Sequence, residues 1–272
     1  MAYVNNAGVD LYYDVHGDGE PVVFIPGLGL TAEAWGSVTS LLAEQVRVIV
    51  LDPRGAGRSD KPDVPYTPLS LAQDLVSILD AAEVERGHVV GLSMGGMIAQ
   101  ELGIRFPDRV ASLVLLSTYA APDDWSRRLF EVRRLMIERL GLLDHFKLSI
   151  MLVFSPVAFR EMGDQVEAVE RRLRDNPPDT SAYLRQLQYC LDHDTTDRLN
   201  RISAPTVVVT GSNDILTSPL QGRDLAEGIP GAIYREFEGA SHGLWVEKAD
   251  AVADMIRDWV AGQRGSRHHS AR

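Results

Sequence analysis

Three residues in this chain have the types and placement to activate a hydroxyl: Ser93, Asp214 and His242. Ser93 is the centre of Gly91-Leu-Ser-Met-Gly95, a G-x-S-x-G spacing. An apolar run from His88 to Val90 precedes it, and helically spaced apolar residues (Met97, Ile98, Leu102, Ile104) follow from near Gly96. A serine at so tight a strand-to-helix turn takes a strained backbone conformation. Small residues two before and two after it let the neighbouring elements close in. The helix that follows aims its first amide N–H groups at the same spot, which suits an oxyanion. A serine hydroxyl is a poor nucleophile until a base accepts its proton, and that base needs a third group to orient it. His242 lies in Gly239-Ala-Ser-His-Gly-Leu-Trp245, and Asp214 in Gly211-Ser-Asn-Asp-Ile-Leu, directly after the apolar run Thr206-Val-Val-Val-Thr210. Both positions follow strands, and a parallel sheet collects functional groups at the carboxyl ends of its strands.

The elements that must position these residues are legible as apolar runs and helical periodicity. A hairpin is expected over 1–19, then strands at Pro21–Ile25, Val46–Leu51, His88–Val90 and Val110–Leu116. Between them the pattern predicts helices at about Thr31–Glu44, with Thr31 as N-cap, and Leu69–Ala82. Apolar strands alternating with amphipathic helices signal a parallel sheet covered on both faces. The alternation stops at about Ala120. Helical segments follow (Trp125–Leu140, Leu142–Phe154, Pro156–Arg174, Ser181–His193), and the sheet pattern resumes at Ala204–Thr210. It continues with a helix Pro219–Gly228, a strand Ala232–Phe237 and a helix Val246–Gln263. The expected organisation is therefore a core of 1–119 and 201–263, a helical cap of 120–200, and a loose polar tail of 264–272.

Composition narrows the class. The chain has 272 residues, 45% hydrophobic, and a net charge of −11. This acidity argues against nucleic acid as a main partner. The single cysteine, Cys190, cannot form an internal disulfide or a cysteine-rich zinc site. The opening residues lack a basic stretch followed by an apolar one, so no secretory signal is expected, and no apolar run approaches the ~18 residues of a membrane span. A cytoplasmic protein with no membrane partner is expected, with its oligomeric state open. Asp192, Asp194 and Asp197 compete with Asp214 as the acid, but they fall at the exit of the helical segment. His88 reads as structural, and His16 and His145 as surface residues. His193 reads as part of a solvated helix end and Cys190 as a buried side chain. Trp245 reads as packing at the rim of the site. Arg127, Arg128, Arg133 and Arg134 read as a solvated helix face, with one of them in reach of a substrate carboxylate as the sharper reading. Met151, Leu152 and Phe154 read either as cap core or as pocket wall.

Over residues 3–262 the chain resembles the α/β-hydrolase superfamily. The marks are Pro26-Gly-Leu-Gly29, Asp52-Pro-Arg-Gly-Ala-Gly-Arg-Ser59, Gly91-Leu-Ser-Met-Gly-Gly96, Gly211-Ser-Asn-Asp214 and Ser241-His242-Gly243. Within it the chain is most similar to the bacterial carboxylesterase and 3-oxoadipate enol-lactonase-like branch. The resemblance implies an α/β fold, with a mostly parallel eight-stranded sheet, helices on both faces and an inserted helical cap. It implies Ser93 as nucleophile, His242 as general base and acid, and Asp214 as the group orienting the histidine. The backbone N–H groups of Leu28 and Met94 would form the oxyanion hole, and Asp52-Pro-Arg-Gly would be a structural turn. Many members carry His-Gly where this chain has Pro26-Gly27. The implied substrate is a small carboxylic ester or lactone, with no metal and no cofactor. C–C bond hydrolysis and cofactor-free haloperoxidase or perhydrolase chemistry use the same site. A slow-turnover receptor keeps the same fold. A rival motif is Gly27-Leu-Gly-Leu-Thr-Ala32 with Asp52 placed 20 positions further on, a dinucleotide-binding spacing; it leaves Ser93, Asp214 and His242 unexplained.

Overall fold

The structure, a computed structural model, describes residues 2–269, the last of them (264–269) by backbone alone. Eight strands form one sheet. In chain order the first elements are β1 (Ala2–Asn6), β2 (Val9–His16) and β3 (Pro21–Ile25), then a 3-10 turn Ala32–Trp35 running into α1 (Gly36–Thr39). β4 (Arg47–Leu51), α2 (Pro68–Ala81), β5 (Gly87–Leu92), α3 (Met94–Arg105) and β6 (Val110–Leu116) follow. Then come five helices without a strand: α4 (Asp124–Leu140), α5 (Leu142–Val153), α6 (Pro156–Glu161), α7 (Gly163–Asp175) and α8 (Thr180–Asp192). The sheet resumes with β7 (Thr206–Gly211), α9 (Pro219–Gly228) and β8 (Ile233–Phe237), and the chain ends in α10 (Leu244–Glu247) and α11 (Ala249–His269).

The strand order is β1-β2-β4-β3-β5-β6-β7-β8. β1 and β2 pair antiparallel, β2 pairs antiparallel with β4, and every later pairing is parallel. Alternation along each strand splits the core in two. Val23 and Ile25 of β3, Val89 of β5 and Val208 of β7 pack with α2, α3 and α9. Val22, Phe24, Val90, Val207 and Val209 point the other way, onto the Trp35 turn, α1 and α11. Strands buried on both faces read as continuous apolar runs, which is why β3, β5, β6 and β7 are legible without helix-like spacing.

Several boundaries differ from expectation for local reasons. The helix expected over 31–44 is a 3-10 turn and one short helical turn, with Gly36 at their junction and turns to Val46. Thr31 stands at the N-cap position, but its side chain caps nothing; Asp52 Oδ1 instead accepts from the Ala32 N–H at 2.8 Å. The helix expected over 156–174 breaks at Met162–Gly163 into α6 and α7. The final helix is broken at Lys248, and α11 runs past Gln263 into the segment expected as a tail; residues 270–272 lie outside the described residues. Among the described residues, no helix is long and apolar enough to cross a membrane.

Candidate active site

The turn after β5 is one residue long. Strand ends at Leu92, helix begins at Met94, and Ser93 between them has φ 52°. That is the left-handed region, costly for a serine and sustained only by its surroundings. Those surroundings need glycine: a Cβ on Gly91 would run into the Gly95 carbonyl, and one on Gly95 into the carbonyl of Ile25 at the end of β3. The Ser93 carbonyl accepts from Thr118 Oγ1 at 2.8 Å, while its N–H donates to Leu116 O at 2.9 Å. From Gly87 to Gly103 every residue is buried except Ser93, which is half-buried. The fold therefore encloses the whole turn and opens it at one side chain.

Asp214 and His242 come from the turns after β7 and β8. Asp214 Oδ2 accepts from His242 Nδ1 at 2.8 Å and from Thr217 Oγ1 at 2.8 Å. Its Oδ1 accepts from the N–H groups of Leu216 and Thr217 at 2.8 and 2.9 Å. Both residues are buried. Burial works to raise the Asp214 carboxyl, but the His242 imidazole and the Thr217 donors outweigh it and hold the carboxyl below its ordinary range. An ionised Asp214 fixes the Nδ1–H tautomer of His242 and leaves Nε2 for the cavity. The histidine loop is itself tied down. Ser241 Oγ donates to Val153 O at 2.6 Å, and the Ser241 N–H to Glu247 Oε2 at 2.9 Å.

Ser93 and His242 line one cavity of about 910 Å³, together with Leu28, Gly29, Phe154, Tyr183, Leu216 and Trp245. The Ser93 hydroxyl makes no hydrogen bond to His242 among the described residues; in unliganded sites such bonds are often long and tighten on binding. The loop after β3 closes over the serine: a Cβ built on Gly27 would sit 3.4 Å from Ser93 Cβ. The N–H groups of Leu28 and Met94 donate to no protein acceptor among the described residues. Of the sequence-derived set, Leu28, Ser93 and His242 thus line one space, with Asp214 behind His242 and Met94 next in the chain to Ser93.

Three groups that sequence reasoning missed shape this site. Gln186 of α8 is buried and bridges two loops: its Oε1 accepts from the Gly29 N–H at 2.9 Å and its Nε2 donates to Arg54 O at 2.9 Å. Tyr183, one helical turn earlier, lays its ring on Gly29, whose φ is +72°; a Cβ there would sit 2.5 Å from Tyr183 Cε2. Thr217 lies 3.2 Å from His242 Nδ1 and seals Asp214. The i, i+3 spacing of Tyr183 and Gln186 marks one helix face, but nothing in it names the loop that this face meets.

Other expectations are corrected. His145 and His193 are not surface residues; both are fully buried. Burial, with Arg133 nearby, pushes His145 down to about 3, and burial pushes His193 down to about 4. Arg133 is half-buried and lines the cavity rather than a solvated face. Phe154 lines the cavity whereas Met151 is exposed, and Trp245 is a cavity wall anchored by Nε1 to Ala34 O at 3.0 Å. His88 is structural, with Nδ1 2.7 Å from Ser112 Oγ, and His16 is exposed. Cys190 is buried as expected. Asp52 is a structural group: beyond Ala32, it is held by Arg58 Nε at 2.7 Å, and being fully buried it has no oxygen to offer a ribose.

A family model of the α/β hydrolase fold matches residues 20–249. A protein named as the carbamate hydrolase RutD of Azorhizobium caulinodans is 32% identical over 256 residues, covering 94% of this chain and 97% of the relative. Among solved structures, the enol-lactonase from Burkholderia xenovorans LB400 superposes with a TM-score of 0.87 at 27% identity, covering 96% of this chain and 100% of that one. A thermophilic esterase from Thermogutta terrifontis superposes with a TM-score of 0.86 at 26% identity, covering 96% and 98%.

Proposed function

The chain belongs to the α/β-hydrolase family, and from that premise we propose that it is a serine hydrolase cleaving a carboxylic ester or lactone through an acyl-enzyme. The observation that carries the reading is the strained, half-exposed Ser93 opening on the same cavity as a His242 already oriented by Asp214. Ser93 Oγ attacks the carbonyl carbon as His242 Nε2 takes its proton. The carbonyl oxygen becomes an oxyanion, and the free N–H groups of Leu28 and Met94 are its donors. His242 returns the proton to the leaving alkoxide, which departs as the alcohol or, from a lactone, stays attached to the acyl chain. Water then repeats the sequence on the acyl-enzyme, with His242 as base, and releases the acid. Asp214 stays ionised and stabilises the imidazolium.

The five helices between β6 and β7 act in this reading as a cap that selects the acyl group, since α4, α5, α7 and α8 all contribute cavity wall. A carbamate ester presents the same carbonyl to Ser93, so the relative named as a carbamate hydrolase brings that class within the same mechanism. The test is turnover of p-nitrophenyl esters, simple lactones, carbamates and diketones by the wild type and Ser93→Ala, with fluorophosphonate labelling read by peptide mass. Labelling at Ser93 and loss of ester turnover in Ser93→Ala are expected. Undiminished turnover in Ser93→Ala, or fewer than a few turnovers by the wild type on every substrate, would sink the proposal.

A further inference from the structure

The histidine loop meets the cap at one corner, Val153–Ser155, where α5 hands over to α6. Val153 is the last residue of α5, so its carbonyl is one that a helix end leaves without an intrahelical partner. It accepts from the Gly243 N–H at 2.7 Å and from the Ser241 hydroxyl at 2.6 Å. These are the two residues that flank His242. Phe154, next in the corner, is buried against the same loop: a Cβ on Gly243 would sit 2.6 Å from Phe154 Cδ1. Its ring lies 6.4 Å from that of Trp245, and Val153, Phe154, His242 and Trp245 all line the cavity with Ser93.

Glu247, the last residue of α10, closes this junction from behind the cavity wall. Its Oε2 accepts from the Ser241 N–H at 2.9 Å. Its Oε1 accepts from the Ser155 N–H at 2.6 Å, with the Ser241 hydroxyl 2.7 Å away. One carboxylate thus takes a backbone donor from the histidine loop on one oxygen and a backbone donor from the cap on the other. Hydrogen bonds to a carboxylate are roughly twice as strong as neutral ones. Ser155 and Ser241 are both buried, and no other acceptor serves either N–H among the described residues, so without Glu247 both would be orphaned. Asp214 directs the His242 ring, and on the sheet side the loop is held at Ala240, whose carbonyl accepts from the Asn213 N–H at 2.9 Å. The backbone on either side of His242 is held by the cap corner and Glu247.

We propose that Glu247 is a positioning residue that makes the cap corner and the backbone of His242 one body, so that an acyl group seated against Phe154 also seats the base over Ser93. The proposal rests on the serine-hydrolase reading for its kinetics, though not for the held histidine. Its physical content is that binding of the acyl chain goes into orientation, and so appears in kcat rather than in KM alone. Loosening the corner then costs rate even with Ser93, Asp214 and His242 intact.

The test compares the wild type with Glu247→Met, which keeps the length of the side chain and deletes its acceptors, and with Glu247→Gln, which keeps one acceptor for Ser155 and carries the comparison should Glu247→Met fail to fold. On p-nitrophenyl hexanoate, Glu247→Met is expected to lose about 10- to 100-fold in kcat with KM within about threefold of wild type, and Glu247→Gln to recover part of that loss. From the acetate to the hexanoate ester the wild type is expected to gain about tenfold in kcat, and Glu247→Met less than about threefold. The downfield proton resonance of His242 Nδ1–H, assigned by its loss in Asp214→Asn, reads the histidine without turnover. It should broaden in Glu247→Met and sharpen again in Glu247→Gln. A Glu247→Met protein that melts earlier but keeps its kcat and its resonance would show that Glu247 merely holds the cap to the core, and would overturn the proposal. So would a resonance unchanged by the substitution or missing from the wild type, an acetate-to-hexanoate step of equal size in both proteins, or a wild type that hydrolyses both esters with no step. A resonance that broadens in Glu247→Met, with no ester hydrolysed by the wild type, would keep the positioning role and refute the hydrolase reading. Hydrolysis that depends on Ser93 and is undiminished in Glu247→Met would do the reverse.

Discussion

Replacing Gln186 with Met keeps the length of the side chain and deletes both of its hydrogen bonds. Two backbone groups lose their partners, the Gly29 N–H and the Arg54 carbonyl. Each orphaned buried group costs about 1–3 kcal/mol. Gly29 lines the cavity, so its N–H can turn to water, whereas the Arg54 carbonyl sits in a turn packed against buried Asp52 and Asp74. The expected loss of stability is therefore about 2–3 kcal/mol, a melting-point drop of roughly 4–12 °C for a chain of this size. The effect on rate is larger than the loss of stability suggests. The Gly29 N–H bond fixes the loop whose neighbouring Leu28 N–H is a proposed oxyanion donor, and a shift of about 1 Å at such a donor costs on the order of a hundredfold. Assayed at 25 °C, where the variant remains folded, Gln186→Met should lose about a hundredfold in kcat on p-nitrophenyl acetate with KM within about threefold of wild type. A variant that melts earlier but keeps kcat within threefold would refute the idea that α8 sets the geometry of the loop after β3.

Asp214→Asn should lower kcat by about 10³- to 10⁴-fold while the protein stays folded by circular dichroism, because one oxygen cannot serve both the backbone donors of Leu216 and Thr217 and the His242 Nδ1–H. His193 carries an acid-stability term. Burial depresses it from 6.5 to about 4, so between these values the unfolded chain binds a proton that the folded chain does not, and stability falls as pH drops. The full loss is on the order of 3 kcal/mol, and His193→Gln should flatten urea midpoints measured across that window. Glu101 adds a lower window: burial would raise its carboxyl, but Arg198 and Arg105 outweigh burial and hold it down, so its contribution is present above the ordinary range of about pH 4 and is lost as pH falls through its lower folded value. Glu101→Gln should remove that last step of acid unfolding and destabilise the protein at pH 7. Gly95→Ala forces a Cβ into the Ile25 carbonyl and should lower stability by about 1–3 kcal/mol or more in urea titrations, unlike Gly163→Ala, whose Cβ meets nothing within 4 Å among the described residues.

What was legible in the sequence is what local chemistry dictates. Strands buried on both faces show as unbroken apolar runs, and a one-residue turn holding a φ of 52° demands small flanking residues, so β5, Ser93 and Gly95 announce themselves. Asp214 and His242 follow from the rule that strand ends carry function. The helix expected over 31–44 starts where expected, but Asp52, 20 residues away, takes the Ala32 N–H in place of Thr31, and the segment divides at Gly36 into a 3-10 turn and one short helical turn. His145 and His193 were misjudged for the same reason, since polar neighbours in sequence, such as Asp144 and Asp192, say nothing about the helix packed on the other side. Arg133 and Arg134 show the limit most plainly. They are adjacent and identical in type, yet Arg134 donates to Gln188 on the surface while Arg133 reaches Tyr183 on the wall of the cavity. A helix turns about 100° per residue, so neighbouring positions face different surroundings, and only the placement of α8 decides which arginine meets the cavity. Which arginine faces the cavity therefore depends on the packing of α4 against α8, a contact between elements about fifty residues apart, and no periodicity within either helix encodes it.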